Sequence, residues 1–293
     1  MSNITIAILG GVLGMLGYGI SDFVAKKAID KIGNLKTLFY TQLIGVFFLA
    51  IYFFNDRSMP SFDLKNIITI FLFGFFNMIG YLALYKSFEV GKLSVVSPIS
   101  SSYVILASLV SFFFFGETFS NLKIITLVLI ICGVILTAID IKGIRDGLDL
   151  RDLSKGVPEA LLVFLIFGIY VPFWDKFLEG SGWVIWVILV RIILAFFLVI
   201  YRKVIQKKDL GFNGKGLFYL LIFVAFFEAL GSFGSSWGYH SSSNTTSIVT
   251  AATSTYPLIT ATLAFVFLKE RLARYQYAGI ALIILGLAIS PFI

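Results

Sequence analysis

The sequence predicts an all-α integral membrane protein, in which ten transmembrane helices form two five-helix repeats of inverted topology. Three observations lead to this fold class: a very apolar composition, ten apolar stretches of membrane-spanning length, and an internal repeat. The chain of 293 residues is 59% hydrophobic and only 13% charged. A water-soluble globule of this length cannot bury so much apolar surface, so membrane lipid is the expected surrounding.

Stretches of mainly apolar residues recur along the whole chain, each about 20 residues long, the length a helix needs to cross a hydrocarbon core of roughly 30 Å. Their connections are short, and nothing is left over for a soluble domain. The first stretch lacks a basic leader and a small-residue cleavage site, so it predicts a retained helix and not a signal peptide. The ten expected spans are 4–25, 35–54, 64–86, 93–115, 122–141, 157–177, 183–202, 215–239, 245–268 and 273–292.

An internal repeat relates residues 94–138 to residues 247–291 at a constant offset of 153, without a gap. Eleven of the 45 aligned positions are identical. The Ser, Tyr, Glu and Gly matches are the main evidence for the repeat, because any two membrane helices match at some apolar positions by chance. These pairs are Ser94/Ser247, Ser101/Ser254, Tyr103/Tyr256, Glu117/Glu270 and Gly133/Gly286.

The longest polar connection, residues 142–156, divides the ten spans into five and five. The first repeat therefore covers residues 1–141 and the second covers residues 157–293. Because five is odd, two copies must lie upside down relative to each other, with a pseudo-two-fold axis in the membrane plane. Two complete halves in one chain make a monomer sufficient, and a dimer remains open.

Basic residues are concentrated on alternate connections. Eighteen of the 23 Lys and Arg residues lie in or beside connections 1–2, 3–4, 5–6, 7–8 and 9–10, whereas the termini and the other connections hold four. The positive-inside rule then places those connections in the cytoplasm and both termini outside the plasma (inner) membrane. The net charge of +7 has the same origin. Because it is divided among five short loops, it does not indicate nucleic-acid binding.

Short motifs recur in both halves. Phe-x-x-Lys occurs at 23–26 and 173–176, and Glu117 and Glu270 close helices 4 and 9. Together with the ten helices in duplicated halves, these motifs resemble the EamA-like permeases of the drug/metabolite transporter superfamily. Where that family usually has Trp-Gly, this chain has Tyr18-Gly19 and, in the second half, Phe167-Gly168. The resemblance covers the whole chain and implies a transporter. Bacterial members include exporters of amino acids and related metabolites, which is the basis for expecting export.

Predicted helix 8 has the richest polar face of any span. Glu228, Ser232, Ser235 and Tyr239 recur at spacings of four, three and four, which places them on one side of a helix. A carboxyl at membrane depth is costly unless it faces the bundle interior or a wet cavity, so Glu228 is a candidate for substrate binding and proton coupling, and Ser232 for substrate binding. Alternatively, Glu228 pairs with Arg191 inside predicted helix 7 and joins two helices. Both interpretations remain open, and Arg191 is itself a candidate substrate contact.

Predicted helices 4 and 9 carry hydroxyl residues and one proline each. A proline frees a backbone carbonyl about one turn earlier, which nearby hydroxyls or a substrate can satisfy. Close packing of membrane helices through small hydroxyl residues is the competing explanation. Two equivalent tyrosines either line opposite walls of a cavity or simply pack. The candidate contacts in these helices are Ser97, Ser101, Tyr103, Thr250, Thr253 and Tyr256.

Predicted helix 3 places Asn77 and Tyr81 on a face shared with Tyr85, and both are candidate substrate contacts. Because helix 3 is the repeat partner of helix 8, the two polar faces should look towards the same axis. Asp22 is expected to pair with Lys26 or Lys27 at the headgroup level. Carboxylates are stabilised at helix N-termini, so Glu117 and Glu270 are expected to cap the helices that follow them, tying helix 4 to 5 and helix 9 to 10.

These features favour a secondary transporter of a small polar or amphipathic metabolite. One half would rock against the other around a site made by predicted helices 1, 3, 4, 6, 8 and 9. No P-loop, dinucleotide fingerprint or His/Cys cluster is present, so no cofactor or metal is expected and a proton or substrate gradient would supply the energy. A passive channel or a non-transporting sensor would share this architecture. An intramembrane enzyme would need a nucleophile or a metal set at membrane depth, which His240 and Cys132 supply poorly.

Overall fold

The computed structural model is mainly helical in the segments it describes, which are residues 3–54, 59–115, 121–138, 155–178, 183–205, 217–241, 252–253, 255–270 and 272–289. A short π-helical turn, Tyr201–Ile205, extends α8. The helices are α1 (Asn3–Ile32), α2 (Asn34–Phe53), α3 (Leu64–Val90), α4 (Leu93–Ser101), α5 (Tyr103–Phe115), α6 (Asn121–Ala138), α7 (Val157–Leu178), α8 (Trp183–Ile200), α9 (Phe218–Ser241), α10 (Tyr256–Phe267) and α11 (Arg274–Ile289).

Seven helical stretches within these segments are long and apolar enough to cross a membrane. Two further apolar helices, Ile124–Leu136 and Tyr256–Phe267, are shorter. The predicted class of multi-pass, all-α membrane protein is thus confirmed, and the count of ten spans stays a prediction. The seven stretches are Ile8–Ile32, Asn34–Phe53, Leu64–Val90, Leu93–Phe115, Val157–Leu178, Val184–Val204 and Phe218–Ser235.

Predicted helix 4 is interrupted at Ser102, which separates α4 from α5, so labels from α5 onwards run one ahead of the predicted numbers. Pro98 lies inside α4, and the helix continues for three residues beyond it. The hydroxyl of Ser101 donates to the Pro98 carbonyl at 3.0 Å, and that of Ser102 donates to the Ile99 carbonyl. Such local hydroxyl bonds compete with the backbone ladder, which accounts for a break after the proline and not one turn before it.

Predicted helix 9 was expected to carry Pro257 in its interior. In the structure Pro257 lies in the first turn of α10, after Thr255 at the N-cap. Proline is well tolerated there, because the first N–H groups of a helix have no partner within it. Most of predicted helix 9 before Thr255 lies outside the described residues, so the role expected of Pro257 stays a prediction.

The helices pack so that several elements of one half lie against elements of the other. Helix α1 packs against α9 and α10, α3 packs against α7 and α8, α2 packs against α8 and α9, and α6 packs against α11. Glycine permits the closest approach: a Cβ atom on Gly17 of α1 would overlap the backbone of Gly231 on α9. Small residues at such crossings let membrane helices come together at backbone distance.

Glycine contacts between α6 and α11 follow the sequence repeat. A Cβ on Gly133 would lie 2.8 Å from the Ile283 side chain, and a Cβ on Gly286 would overlap the Ile130 side chain. Gly286 is Gly133 shifted by 153 residues, and Ile283 is Ile130 shifted by the same offset. The contact is therefore made twice, once in each direction.

Candidate functional site

A buried ion pair joins α8 to α9 in the interior of the bundle. The Arg191 guanidinium Nη2 lies 3.0 Å from Glu228 Oε1, and the two side chains are only 8% and 7% exposed. A buried charge is tolerated when it is paired and hydrogen-bonded, which explains how two ionisable groups occur in these apolar helices. The pairing considered as one alternative for Glu228 is thus present.

Two further residues complete what we call the central polar cluster, which consists of Gln42, Tyr81, Arg191 and Glu228. Arg191 Nη1 donates to Gln42 Oε1 at 3.2 Å, and the Tyr81 hydroxyl donates to Glu228 Oε1 at 3.2 Å. The cluster therefore draws on α2, α3, α8 and α9. Gly45, one turn after Gln42, leaves room for it, since a Cβ there would lie 2.8 Å from Arg191 Nη1.

Two polar atoms of the central polar cluster have no hydrogen-bond partner among the described residues. They are the amide nitrogen Nε2 of Gln42 and the carboxylate oxygen Oε2 of Glu228, and both are buried. Leaving a buried donor or acceptor unpaired costs about 1–3 kcal/mol or more, so such atoms call for an explanation. A bound molecule that accepts one hydrogen bond and donates another would satisfy both atoms.

Asp22 on α1 is held by the hydroxyl of Ser97 on α4, which donates to Asp22 Oδ2 at 3.2 Å. The expected pairing of Asp22 with a nearby lysine is wrong. Lys26 instead pairs with Asp30 at 2.8 Å, and the Lys27 ammonium lies 4.4 Å from the centre of the Phe23 ring. Asp22 faces α4 in the interior, whereas these lysines turn away from it.

Aromatic pairs flank the cluster and follow the repeat. Tyr18 meets Tyr256 edge to face with ring centres 6.0 Å apart, and Phe167 meets Tyr103 in the same way at 6.0 Å. Tyr256 is Tyr103 shifted by 153, and Phe167 stands beside Gly168 as Tyr18 stands beside Gly19. The Tyr18 hydroxyl also donates to Ser232 at 3.2 Å. The two halves thus contribute matching aromatic contacts on either side of the interior.

Glu270, at the end of α10, caps α4 and not the helix that follows it. Its carboxylate accepts hydrogen bonds from the backbone N–H groups of Leu93 and Ser94 at 2.9 and 3.0 Å, and from the Ser94 hydroxyl. The first turn of α11 is satisfied by Gln276, which accepts from the Ala273 N–H at 3.1 Å. The expectation that Glu270 ties predicted helices 9 and 10 is wrong, and Glu117 lies outside the described residues.

Comparison with known proteins identifies the lineage of the chain. The EamA-like transporter family matches the sequence twice, over residues 5–139 and over residues 154–291. The chain belongs to the EamA-like transporter family. It is therefore a membrane transporter, as the resemblance implied, and that family consists of transporters and not enzymes.

Two relatives of this EamA-like protein have names that specify no substrate. An uncharacterized transporter of Archaeoglobus fulgidus is 24% identical over 289 residues, covering 96% of both chains. An uncharacterized protein of Methanocaldococcus jannaschii is 30% identical over 133 residues, which are 45% of this chain and 96% of the relative. A solved crystal structure with 14% sequence identity covers 99% of both chains at a TM-score of 0.65, which shows a shared fold.

The structure brings several of the predicted site residues of this EamA-like transporter together. Tyr81, Arg191 and Glu228 meet directly in the central polar cluster. Ser97 and Ser232 instead reach its neighbours Asp22 and Tyr18. These contacts join α1, α3, α4, α8 and α9 through polar side chains.

Other predicted residues have different surroundings. Asn77 is buried on α3, and Ser101 donates to a carbonyl of its own helix. Thr253 reaches the Gly11 carbonyl of α1 at 3.5 Å. Thr250 lies outside the described residues. No three His, Cys, Asp or Glu side chains are grouped for metal binding in the described segments.

Sequence reasoning missed Gln42, which supplies one side of the central polar cluster. A signal was available, since Gln42 stands inside an apolar span, between Thr41 and Leu43. A polar side chain at that depth is costly unless it faces the bundle interior, by the same argument that singled out Glu228.

Proposed function

We propose that this chain is a secondary transporter that works by alternating access, with ten transmembrane helices in two inverted five-helix repeats. The halves would be residues 1–141 and 157–293, joined by the polar connection 142–156. One half rocks against the other, and the substrate site at their interface opens to each side of the membrane in turn. A gradient of protons or of a second substrate supplies the energy.

The contacts between halves support the inverted arrangement. In this arrangement α1, α2 and α3 of the first half correspond to α7, α8 and α9 of the second half. The α1–α9 contact then corresponds to the α7–α3 contact, and the α2–α9 contact corresponds to the α8–α3 contact. All four contacts occur in the structure. The aromatic pairs and the α6–α11 glycines repeat in the same manner. The family match to each half and a relative about half as long as this chain also support the division.

The observation that carries the proposal is the central polar cluster. A paired arginine and glutamate, with an unsatisfied amide nitrogen and an unsatisfied carboxylate oxygen, lie buried among apolar helices. Polar groups at membrane depth are a mark of substrate and ion pathways, because their cost restricts them to positions that face the bundle interior or a wet cavity. The donor and the acceptor suit a small polar or amphipathic metabolite, and we favour an amino acid or a related compound.

We propose export as the direction of transport, by analogy with bacterial exporters of the family. The distribution of Lys and Arg supports a plasma (inner) membrane orientation in which both termini lie outside.

Counterflow in reconstituted vesicles tests the proposal. Vesicles containing the purified chain are loaded with one unlabelled amino acid or metabolite, and uptake of the same labelled compound is followed over a range of concentrations. Saturable exchange that requires the loaded compound is the expected result. Flux that rises linearly without saturation would identify a channel, and no flux across a broad metabolite panel would overturn both alternatives.

A matched pair of variants shows whether the measured exchange uses the proposed site. Glu228→Asp keeps the carboxylate but shortens it, and it is expected to weaken exchange. Asp30→Asn alters an exposed carboxylate whose ion-pair partner in the described part of the chain is Lys26, and it should exchange like the unmodified chain. Equal activity of all three proteins would place the substrate elsewhere.

A further inference from the structure

The interior of the bundle holds two acidic side chains, Asp22 and Glu228, in its described part. Arg191 and Glu228 neutralise each other at 3.0 Å. Asp22 is a second acid in electrostatic contact with Glu228, and Ser97 is its hydrogen-bonding partner. No described cation lies within ion-pair distance of Asp22, since Lys26 is engaged by Asp30. Of these two acids, only Glu228 has an arginine as its ion-pair partner.

At membrane depth a carboxyl group without a cationic partner is neutral when protonated, and in its ionised form it requires a positive charge from outside the chain. Removing such a group from water costs several kcal/mol, and a hydroxyl offsets only part of that cost. The neighbouring Glu228 carboxylate raises the cost further, because like charges repel. A positively charged group from a bound molecule would remove both penalties.

The surroundings of Asp22 favour an organic cation over a metal ion. Calcium needs six to eight oxygen ligands, whereas this position offers one carboxylate and the Ser97 hydroxyl. Two tyrosines, Tyr85 and Tyr256, also lie within electrostatic range of Asp22. A carboxylate and nearby aromatic side chains are the groups that recognise an ammonium ion, through an ion pair and cation–π contact.

We infer that Asp22 is the acceptor for a positively charged amine on the transported molecule. This inference rests on the proposed transport function and narrows its substrate to amine-bearing compounds. Ser97 positions the carboxylate, and Tyr256, whose ring packs against that of Tyr18, lies within electrostatic range of it. The central polar cluster then contacts the remaining polar groups of that molecule.

Thermal unfolding of the purified full-length chain in detergent tests the inference. Two amines are each compared with a neutral analogue of the same shape: butylamine with 1-butanol, and phenethylamine with 2-phenylethanol. Leucine and lysine are added as amino acids that carry an amine. A ligand that binds only the folded state raises the unfolding temperature in a concentration-dependent manner. We expect at least one amine to do so and its neutral analogue not to do so.

Two variants test whether the amine binds at Asp22. Asp22→Asn should weaken binding of the active amine at least about tenfold, because a buried charge partner is lost. Asp30→Asn, with its exposed carboxylate, should bind as the unmodified chain does. Stabilisation by neutral analogues, an unchanged amine response in Asp22→Asn, or no response to any amine would each overturn the inference.

A chemical measurement on the unmodified chain covers the case in which Asp22→Asn does not fold. Dicyclohexylcarbodiimide enters membranes and forms an adduct with protonated carboxyl groups, which mass spectrometry locates. Asp22 should be labelled, and the active amine should protect it while the neutral analogue does not. Labelling that no amine reduces would overturn the inference.

Counterflow separates this inference from the proposed function. Saturable exchange of neutral or anionic metabolites, with none of amines, would leave a transporter and refute the amine site. Loss of pH-gradient-driven transport in Asp22→Asn, with amine binding unchanged, would assign Asp22 to protons and also refute it. Absence of exchange for every class would overturn both proposals.

Discussion

The carboxylate of Glu270 accepts hydrogen bonds from both the backbone N–H and the hydroxyl of Ser94. Ser94 opens α4, and Glu270 follows α10, so the contact joins helices from opposite halves of the chain. The N-terminus of a helix carries partial positive charge and unpaired N–H groups, which a carboxylate satisfies. The contact is thus both a helix cap and a bond between halves.

Replacing Glu270 by Gln should destabilise the protein by about 1–2 kcal/mol, the range found for loss of a helix cap. The amide keeps one acceptor but loses the charge that strengthens the bonds to Leu93 and Ser94. Unfolding of the purified protein in mixed detergent, followed by circular dichroism, measures the difference. Combining this change with Ser94→Ala should cost less than the sum of the single changes.

An exposed glutamate provides the control for that measurement. Glu89 pairs with Lys86 at 2.6 Å, but its side chain is 30% exposed and that of Lys86 is 46% exposed. Glu89→Gln should change stability by less than about 0.5 kcal/mol. If it destabilises as much as Glu270→Gln does, the cap has no special importance.

Removing one partner of the buried ion pair should be more damaging than removing both. Glu228→Gln leaves Arg191 charged and unpaired in the interior, and Arg191→Gln leaves Glu228 in the same position. Each single change should cost about 3–5 kcal/mol, and the double change should recover much of that loss. Expression level and unfolding in mixed detergent measure these effects.

The same variants decide between the two roles considered for Glu228. If Glu228 only joins α8 to α9 through its ion pair, the double variant should regain both stability and counterflow. A proton-coupling group predicts that Glu228→Gln stays folded and continues counterflow, but loses transport driven by a pH gradient. A stable Glu228→Gln variant with that selective defect would contradict the expected stability loss.

Two glycine substitutions should have different effects, one mainly on stability and the other mainly on counterflow. Gly17→Ala places a methyl group against the backbone of Gly231, so α1 and α9 must separate, at a cost of about 1–3 kcal/mol. Gly45→Ala meets the end of the Arg191 side chain, which can move, so stability should change less while counterflow falls. Unfolding and counterflow measured on both proteins test the contrast, and equal stability losses would refute it.

Membrane orientation can be tested with single cysteines. In a Cys132→Ser background, Lys31→Cys marks a connection expected in the cytoplasm and Met59→Cys marks one expected outside; both positions are exposed. A membrane-impermeant maleimide added to intact cells should label position 59 and not position 31. The opposite pattern would invert the orientation derived from the Lys and Arg distribution.

The features that depend on local pattern were predictable from the sequence. The apolar length of α3 and α8 follows from composition. The partnership of Arg191 with Glu228 was one of two alternatives, and it has a physical reason in the sequence, because a charge inside a span is stabilised by a counter-charge. Both predictions use only the cost of exposing polar groups to lipid.

The features that depend on packing were not predictable. Lys26 stands four residues from both Asp22 and Asp30, so spacing alone permits either pair. The structure selects Asp30, because Asp22 turns inwards to Ser97. The rule that carboxylates cap helix N-termini was correct for Glu270, but the choice of α4 depends on which helix lies nearby.

The Glu270 cap also sets an order for the synthesis of the protein. Ser94 and Glu270 are 176 residues apart in the chain, so the ribosome needs on the order of ten seconds to deliver the carboxylate after α4 has been made. During that interval the first N–H groups of α4 lack this partner. A truncated chain that ends before α10 therefore retains an unfinished helix end, which we expect cellular quality control to recognise and degrade.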